Sequence, residues 1–134
     1  MSLHSIEPYI SAWRARFKRD AEVLSKRREE AMEAAQIAAQ ILIKSYDVEK
    51  VYLFGSVLRP EQFGERSDLD LAVVGLAPEL YFEALAQLWK HKPKGLNLDL
   101  VPFEDANPLF RERILQEGML LDEKKRFRDS PGRD

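Results

Sequence analysis

The chain has 134 residues, enough for one domain with a modest core, and it contains no cysteine. Disulfides and zinc–thiolate sites are therefore excluded. Lysine and arginine number 21 against 23 aspartates and glutamates, a formal net charge of -2, so we do not expect nucleic acid to be the main ligand. His4 and His91 have no partner at metal-ligand spacing, and we expect both at the surface.

The chain also has no sequence signal for a membrane or for secretion. No apolar run approaches the roughly 20 residues that span a bilayer. The first residues contain His4, Glu7 and Pro8 in place of an apolar signal core. We therefore expect a cytoplasmic protein with no membrane segment.

From Ser5 to about Tyr46 the sequence has the pattern of one long helix. Pro8 suits its first turn, and no glycine or further proline follows until Gly55. Apolar residues recur at helical spacing in both halves: Ile10, Trp13, Phe17 and Leu24, then Ala31, Ala35, Ala38, Ile41 and Leu42. Between the halves, residues 25–30 are almost wholly charged, which we interpret as a solvated helix face.

A straight helix of this length would extend about 55–60 Å, well beyond the width of so small a globule. The helix therefore either kinks near Lys26, Arg27 and Arg28 or projects with its N-terminal half. The apolar stripe of that half needs something to cover it. A partner protein or a second copy of this chain is a reasonable source of that cover.

After Val48 the periodicity changes to that of strands. We predict strands at Val51–Phe54, Leu69–Val74, Leu96–Val101 and Met119–Leu121, and helices from Pro78 to about His91 and from a cap at Asp105 or Asn107 to Glu117. This order predicts an α+β fold, a small mixed β-sheet flanked by helices, with a long N-terminal helix. We divide the chain into an N-terminal helical extension (1–47), a core (48–122) and a flexible tail (123–134).

Two predicted strands carry carboxylates on an otherwise apolar background. Asp68 and Asp70 alternate with leucines, so both carboxylates leave the same face while the leucines enter the core. Asp99 does the same in the third strand. If these strands are neighbours, the three carboxylates converge, and even two charges 4 Å apart repel by about 4 kcal/mol at an effective dielectric of 20. A cation would offset that repulsion, and hard oxygen ligands favour Mg²⁺ or Mn²⁺.

The end of the first strand offers a site for a phosphate. Gly55 lets the backbone approach an anion, a following helical turn would point N–H groups at that anion, and Ser56 adds a hydroxyl donor. Arg59, one turn on, could neutralise phosphate charge, and Ser67 could hydrogen-bond the loop that presents Asp68. Each signal is weak alone, and their order and spacing together indicate one site.

That order resembles the signature of the polymerase-beta-like nucleotidyltransferase superfamily, in particular its minimal nucleotidyltransferases. The matching motifs are Gly55-Ser56-x-x-Arg59, Ser67-Asp68-x-Asp70 and Asp99, within a resemblance that covers roughly residues 48–121. The chain has Arg59-Pro60 where the family commonly has Arg-Gly, and its loop before Ser67 is about one residue longer.

The resemblance implies roles for these residues. Asp68 and Asp70 would be catalytic ligands of two Mg²⁺ or Mn²⁺ ions, and Asp99 would complete the second metal site. Gly55 and Ser56 would hold the phosphates of ATP or another nucleoside triphosphate.

These motifs do not identify the molecule that accepts the transferred nucleotide. Larger enzymes of the family carry a helical acceptor-binding domain, whereas only about a dozen polar residues follow the predicted core here. The resemblance implies AMP transfer from ATP to a tyrosine of a helical HEPN toxin, with this chain as its antitoxin. Two alternatives are a binding module that neutralises a partner by contact alone, and transfer to a small molecule such as an aminoglycoside, for which a homodimer would wall the acceptor pocket.

Overall fold

A computed structural model of the protein describes residues 6–64 and 66–125. In chain order its helices and strands are α1 (Glu7–Tyr46), β1 (Lys50–Phe54), β2 (Leu69–Val74), α2 (Tyr81–Lys90), β3 (Leu98–Pro102), α3 (Pro108–Glu117) and β4 (Met119–Glu123). The α+β fold class is thus confirmed. Strand β4 continues two residues beyond its predicted end and includes Glu123, which we had placed in the tail. His4, Ser5 and tail residues 126–134 lie outside the described residues.

The four strands form one mixed sheet in the order β3-β2-β1-β4. Strand β1 runs antiparallel to β2 and to β4, whereas β2 and β3 are parallel and are joined through α2. The second and third strands are therefore neighbours, as the carboxylate argument requires. The register places Asp99 beside Asp70 on one side and Phe54 beside Asp70 on the other.

Alternating leucines of β2 and β3 build part of the core, on the side that α1 and α2 cover. Leu69 and Leu71 of β2 and Leu98 and Leu100 of β3 are all buried. The C-terminal half of α1 meets them with small side chains: Ala31, Ala34, Ala35, Ala38 and Ala39 are buried there. Small residues let a helix approach closely, which removes apolar surface from water at roughly 25 cal/mol per Å².

The free edge of the sheet is capped by side chains of α2. Tyr81 donates its hydroxyl hydrogen to the backbone oxygen of Leu100 at 2.6 Å, and Trp89 donates its indole N–H to that of Leu98 at 3.0 Å. Both acceptors belong to β3, the edge strand. Carbonyls that could pair with another strand are thereby occupied within the chain.

Helix α1 is continuous over 40 residues, and its first buried residue is Ala31. None of residues 6–26 is buried. We call these residues the arm. At about 1.5 Å per residue the arm extends for roughly 30 Å, so the alternative with a projecting N-terminal half agrees with the structure. Within residues 6–64 and 66–125, no helix is both long and apolar enough to cross a membrane.

The charged segment between the arm and the buried half of α1 is not simply a solvated face, and that interpretation was wrong for two of its residues. Arg27 donates a hydrogen bond through Nη2 to the backbone oxygen of Gly95 at 2.7 Å. Arg28 donates through Nε to the backbone oxygen of Val57 at 2.6 Å. Both guanidinium groups therefore contact loops of the core.

Candidate active site

The site begins where β1 ends. Gly55 has a φ of 89°, a left-handed conformation that glycine adopts without the steric cost other residues bear. It leads into a short 3₁₀ turn, Ser56–Leu58. The first N–H groups of such a turn have no acceptor within it, so the predicted glycine-to-turn arrangement is present.

Three aspartates lie at the same end of two neighbouring strands. Asp70 and Asp99 are direct neighbours in the parallel register of β2 and β3, and Asp68 lies just before β2. Asp70 is partly buried, while Asp68 and Asp99 are exposed. The arrangement places one carboxylate inside the site and two at its opening.

The charges of the two outer aspartates reach the inner one. The pKa of Asp70 is raised from its ordinary 3.8 to about 6, first by burial and then by the negative charges of Asp99 and, less strongly, Asp68. Loss of water around a carboxyl and nearby like charges both disfavour its ionised form. The charges of the two outer aspartates therefore act on the inner carboxylate of Asp70.

The donor set suits a hard divalent cation in kind, because it consists of carboxylate oxygens. Among the residues that the structure describes, however, no three His, Cys, Asp or Glu side chains stand grouped as ligands around a common point. Carboxylates repel each other until a cation lies between them. The backbone places Asp70 and Asp99 on neighbouring strands and Asp68 directly before β2.

Arg59 reaches the site's surroundings, but its charge is shared with an acidic residue that the sequence did not single out. Its Nη2 lies 3.1 Å from the Oε2 of Glu117 at the end of α3, and its Nη1 donates to Gln62 at 3.3 Å. Arg59 and Gly55 line one cavity of about 110 Å³ together with Phe54, Leu58, Phe110, Arg113, Ile114 and Glu117. Its predicted phosphate contact therefore competes with an exposed ion pair.

Ser67 closes the loop that carries Asp68. Its hydroxyl oxygen accepts a hydrogen bond from the backbone N–H of Gly64 at 2.9 Å, and its own N–H donates to the oxygen of Gly64 at 3.1 Å. The prediction that Ser67 hydrogen-bonds this loop is confirmed.

Arg28 is the site-bordering residue that sequence reasoning missed. Its hydrogen bond to Val57 fastens the 3₁₀ turn that follows Gly55 to helix α1. Residues 28 and 57 lie far apart in the chain, and nothing in the charged segment distinguishes Arg28 from its neighbours. Only the tertiary structure could identify this contact.

The ring of Phe54 borders the inner carboxylate on the side away from Asp99. Phe54 is the register partner of Asp70, and its ring meets that of Phe110 of α3 edge-on, with centroids 5.5 Å apart. This pair walls one side of the site with apolar surface.

Comparison with known proteins agrees with this geometry. The family model "Polymerase beta, Nucleotidyltransferase" matches residues 36–127. No curated protein matches the chain significantly. Among solved structures, a toxin–antitoxin with AMP-PNP shares the fold at a TM-score of 0.53 and 22% identity, covering 67% of this chain and 74% of that one.

Two further structures are similar at lower TM-scores. A minimal nucleotidyltransferase is 30% identical over 75% of this chain and 94% of its own, with a TM-score of 0.48. A complex of a tri-AMPylated Shewanella oneidensis HEPN toxin with an MNT antitoxin is 21% identical, covering 67% of this chain and 73% of that one, with a TM-score of 0.46. The arm lies outside the residues that the family model matches.

Proposed function

The chain belongs to the polymerase beta nucleotidyltransferase family, and we propose that it transfers AMP from ATP to a hydroxyl group of a partner protein. In this proposal Asp68, Asp70 and Asp99 hold Mg²⁺ or Mn²⁺, and Gly55 and Ser56 bind the triphosphate. The partner is a helical toxin of the HEPN type, with this chain as its antitoxin.

One observation carries the proposal: the inner carboxylate of Asp70 lies between Asp99 and the backbone of Gly55. Asp99 is its neighbour in the parallel register, and Gly55 approaches its carboxylate so closely that there is no room for a Cβ atom. A carboxylate of the proposed metal site thus lies against a turn whose first N–H groups have no acceptor within it, and this combination would suit a metal-bound polyphosphate.

The chemistry is a substitution at the α-phosphorus. The hydroxyl oxygen of the acceptor forms a bond to that phosphorus, the bond to the bridging oxygen of the β-phosphate breaks, and pyrophosphate leaves. The hydroxyl proton passes to water or to a carboxylate of the site. A divalent cation in such a site would neutralise developing charge and lower the pKa of the attacking hydroxyl, while Gly55 and Ser56 would orient the donor.

Two observations support an acceptor on another chain. Asp68 and Asp99 are exposed, so the site opens outward. The arm carries exposed aromatic side chains, which is unusual for a surface that contacts nothing. A structure with this fold is a toxin–antitoxin with AMP-PNP, and on that ground we include ATP and a toxin in the proposal.

The test combines the purified chain, Mg²⁺ and ATP labelled at the α-phosphate with the helical protein encoded beside it. We expect the label to appear on a hydroxyl of that protein and to disappear with Asp70→Asn or Asp99→Asn. Glu79→Gln is a matched control, because Glu79 is an exposed carboxylate remote from the site. Equal labelling by the wild type and Asp70→Asn, or no labelling from any nucleoside triphosphate, would overturn the proposal.

The same variants separate the alternatives. If Asp70→Asn and Asp99→Asn still neutralise the toxin fully, the chain acts by contact alone. If label moves to an aminoglycoside and to no protein, the acceptor is a small molecule. Metal dependence is read directly by adding EDTA, which should abolish labelling, and then restoring Mg²⁺ or Mn²⁺.

A further inference from the structure

The arm presents an apolar surface with a defined shape. Trp13 and Phe17 are 62% and 63% exposed, and their ring centroids are 5.2 Å apart. With Ala21 they line a groove of about 460 Å³ that is edged by Arg14 and Lys18. We call this surface the arm groove. An aromatic pair left open to water at this size is typical of a protein-binding surface.

The arm groove faces the same way as the buried side of α1. Positions 18 residues apart are separated by five full turns of 3.6 residues, so Trp13 shares a face with Ala31, and Phe17 shares one with Ala35. Ala31 and Ala35 are fully buried. Because the helix is continuous, the groove points toward the space that the sheet would fill if it extended further.

That space lies in front of the edge of the sheet that carries the site. Arg28, at the base of the arm, contacts Val57 directly after Gly55, and Arg27 contacts Gly95 in the loop before β3. The arm therefore leaves the core at the end where β1 finishes and where β2 and β3 begin. A molecule bound in the arm groove would therefore lie off this same end of the sheet, roughly 17–22 Å along α1 from Arg28 at 1.5 Å per residue.

Along this face of α1 the side chains change from small ones over the sheet to large ones on the arm, as we expect for a docking surface. Where α1 covers its own sheet, the stripe is built from alanines, which allow close packing. Beyond the sheet, the equivalent positions are Trp13 and Phe17. Large aromatic side chains supply the contact area that dominates protein interfaces, so the sequence changes from intramolecular packing to intermolecular contact at the edge of the fold.

The charge of the arm argues for a partner of another kind over a second copy. Arg14, Arg16, Lys18 and Arg19 fall within six residues that contain no acid. Two arms that covered each other's Trp13 and Phe17 would bring these basic clusters together, which is unfavourable. A partner that borders its apolar surface with carboxylates would be favoured.

We propose that the arm groove docks the acceptor protein through an apolar helix bordered by glutamates or aspartates, and thereby holds the acceptor in front of the catalytic edge. The proposal has two halves. The docking half, binding of an acidic apolar helix, is inferred from the arm groove alone. The delivery half, placing an acceptor hydroxyl at the site, rests on the proposed function.

The docking half is tested with two synthetic amphipathic helices that share one leucine face, flanked by glutamates in one and by lysines in the other. Binding to the full chain is followed by fluorescence anisotropy of the labelled peptide. We expect the glutamate peptide to bind at least about tenfold more tightly than the lysine peptide, and Trp13→Ala/Phe17→Ala to remove most of that affinity. Arg14→Glu/Lys18→Glu should reverse the preference between the peptides.

Two matched controls should leave binding unchanged. Lys90→Glu/Lys94→Glu makes the same change of charge at two exposed positions outside the arm. Phe82→Ala removes an aromatic side chain that is 81% exposed but lies off the arm. Helicity by circular dichroism verifies that every variant keeps α1.

The delivery half is tested by AMP transfer to the partner protein. We expect Trp13→Ala/Phe17→Ala to raise the KM for that protein at least about tenfold while the KM for ATP stays constant. If the wild type labels no protein, the proposed function fails, and the peptide measurements still decide the docking half.

The first two of the following results would overturn the docking half of the proposal, and the third would overturn the delivery half. The first is equal binding, or no binding, of both peptides by the wild type. The second is a dimer in sedimentation that Trp13→Ala/Phe17→Ala dissociates, which would assign the groove to a second copy. The third is transfer to the partner protein that the same double substitution leaves unchanged.

Discussion

Gly55 lies against the carboxylate of Asp70 so closely that a Cβ atom on Gly55 would overlap Asp70 Oδ2. Asp70 belongs to β2, and Gly55 directly follows β1, the antiparallel neighbour of β2, where the chain enters the 3₁₀ turn. The backbone of the turn and the inner carboxylate therefore form one unit. Any side chain at position 55 has to displace the carboxylate or the turn.

The substitution Gly55→Ala should therefore impair catalysis more than folding. A left-handed φ costs an alanine about 1–2 kcal/mol, and displacing a reacting group by about 1 Å costs on the order of 10²-fold in rate. We expect AMP transfer to fall by at least that factor, measured as kcat/KM. Gly64→Ala is the control, because a Cβ atom there meets nothing within 4 Å, and wild-type activity in Gly55→Ala would contradict the role of this contact.

The raised pKa of Asp70 predicts how stability depends on pH when metal is absent. The folded chain holds a proton on Asp70 up to pH about 6, whereas the unfolded chain releases it near 3.8. Folding thus takes up a proton in that window, and the free energy of unfolding falls as pH rises from about 4 to about 6. Because Asp70 is only half-buried, solvent screening reduces its effect to on the order of 1 kcal/mol.

Urea unfolding in EDTA at pH 4.5 and pH 7.5 measures this contribution. Asp70→Asn removes the ionisable group, so the variant should lose this part of the pH dependence and be more stable than the wild type at pH 7.5. An identical pH dependence in the two proteins would show that Asp70 titrates as an ordinary surface carboxylate.

Divalent metal should reverse the cost of ionising Asp70. At pH 7.5 we expect Mg²⁺ or Mn²⁺ to raise the Tm of the wild type, because a cation between carboxylates replaces repulsion with attraction and binds only the folded state. Asp70→Asn and Asp99→Asn should show little or no increase, and Glu79→Gln should respond like the wild type. The measurement is thermal unfolding with increasing metal, and an equal increase in all four proteins would indicate non-specific binding.

Arg28 should support the phosphate turn from outside the site. Arg28→Met removes the hydrogen bond to Val57, worth about 1–3 kcal/mol for a charged donor, while keeping much of the apolar stem. We expect the KM for ATP to rise roughly tenfold, about 1.4 kcal/mol, with a smaller change in kcat. Lys26→Met is the control, and a variant of Arg28 that changes stability but not the KM for ATP would assign the contact a structural role only.

The capping of the sheet edge predicts an effect on stability that is independent of catalysis. Tyr81→Phe removes the hydrogen bond to Leu100 and leaves that carbonyl without this partner, which should cost about 1 kcal/mol in the free energy of unfolding. Tyr9→Phe changes an exposed tyrosine of the arm and should cost nothing measurable. Urea unfolding of both variants checks the difference, and equal stability would mean that water replaces the Tyr81 hydroxyl without loss.

Local patterns predicted most of the fold. The exact bounds of β2, the end of α3 at Glu117 and the capping role of Asn107 follow from alternation and helix-stop signals that lie within a few residues of each other. The predicted bounds of β3 were wrong by two residues at its start and by one at its end. The apolar alternation begins at Leu96, which is buried although the strand has not yet begun there.

Some features of the candidate site likewise follow from local sequence, and others depend on contacts between distant parts of the chain. The sequence indicated which residues to assign to the candidate site, because Gly55, Asp70 and Asp99 are recognisable from their own segments of the chain. Only the tertiary structure decided that Asp70 lies directly between Phe54 and Asp99 in the sheet, since register is a relation between strands. The ion pair of Arg59 with Glu117 and the bond of Arg28 to Val57 are also contacts over long stretches of chain.

The long helix α1 also shows which features follow from the sequence and which depend on the tertiary structure. Its periodicity by itself determined that one apolar stripe runs from Ile10 to Leu42, because helical geometry repeats every 3.6 residues. Where the sheet stops beneath that stripe was decided by the packing of strands that come later in the chain. The fold buries Ala31 and leaves Trp13 in water on the same helix face, since a sheet of five- and six-residue strands is too short to cover a helix of 40 residues.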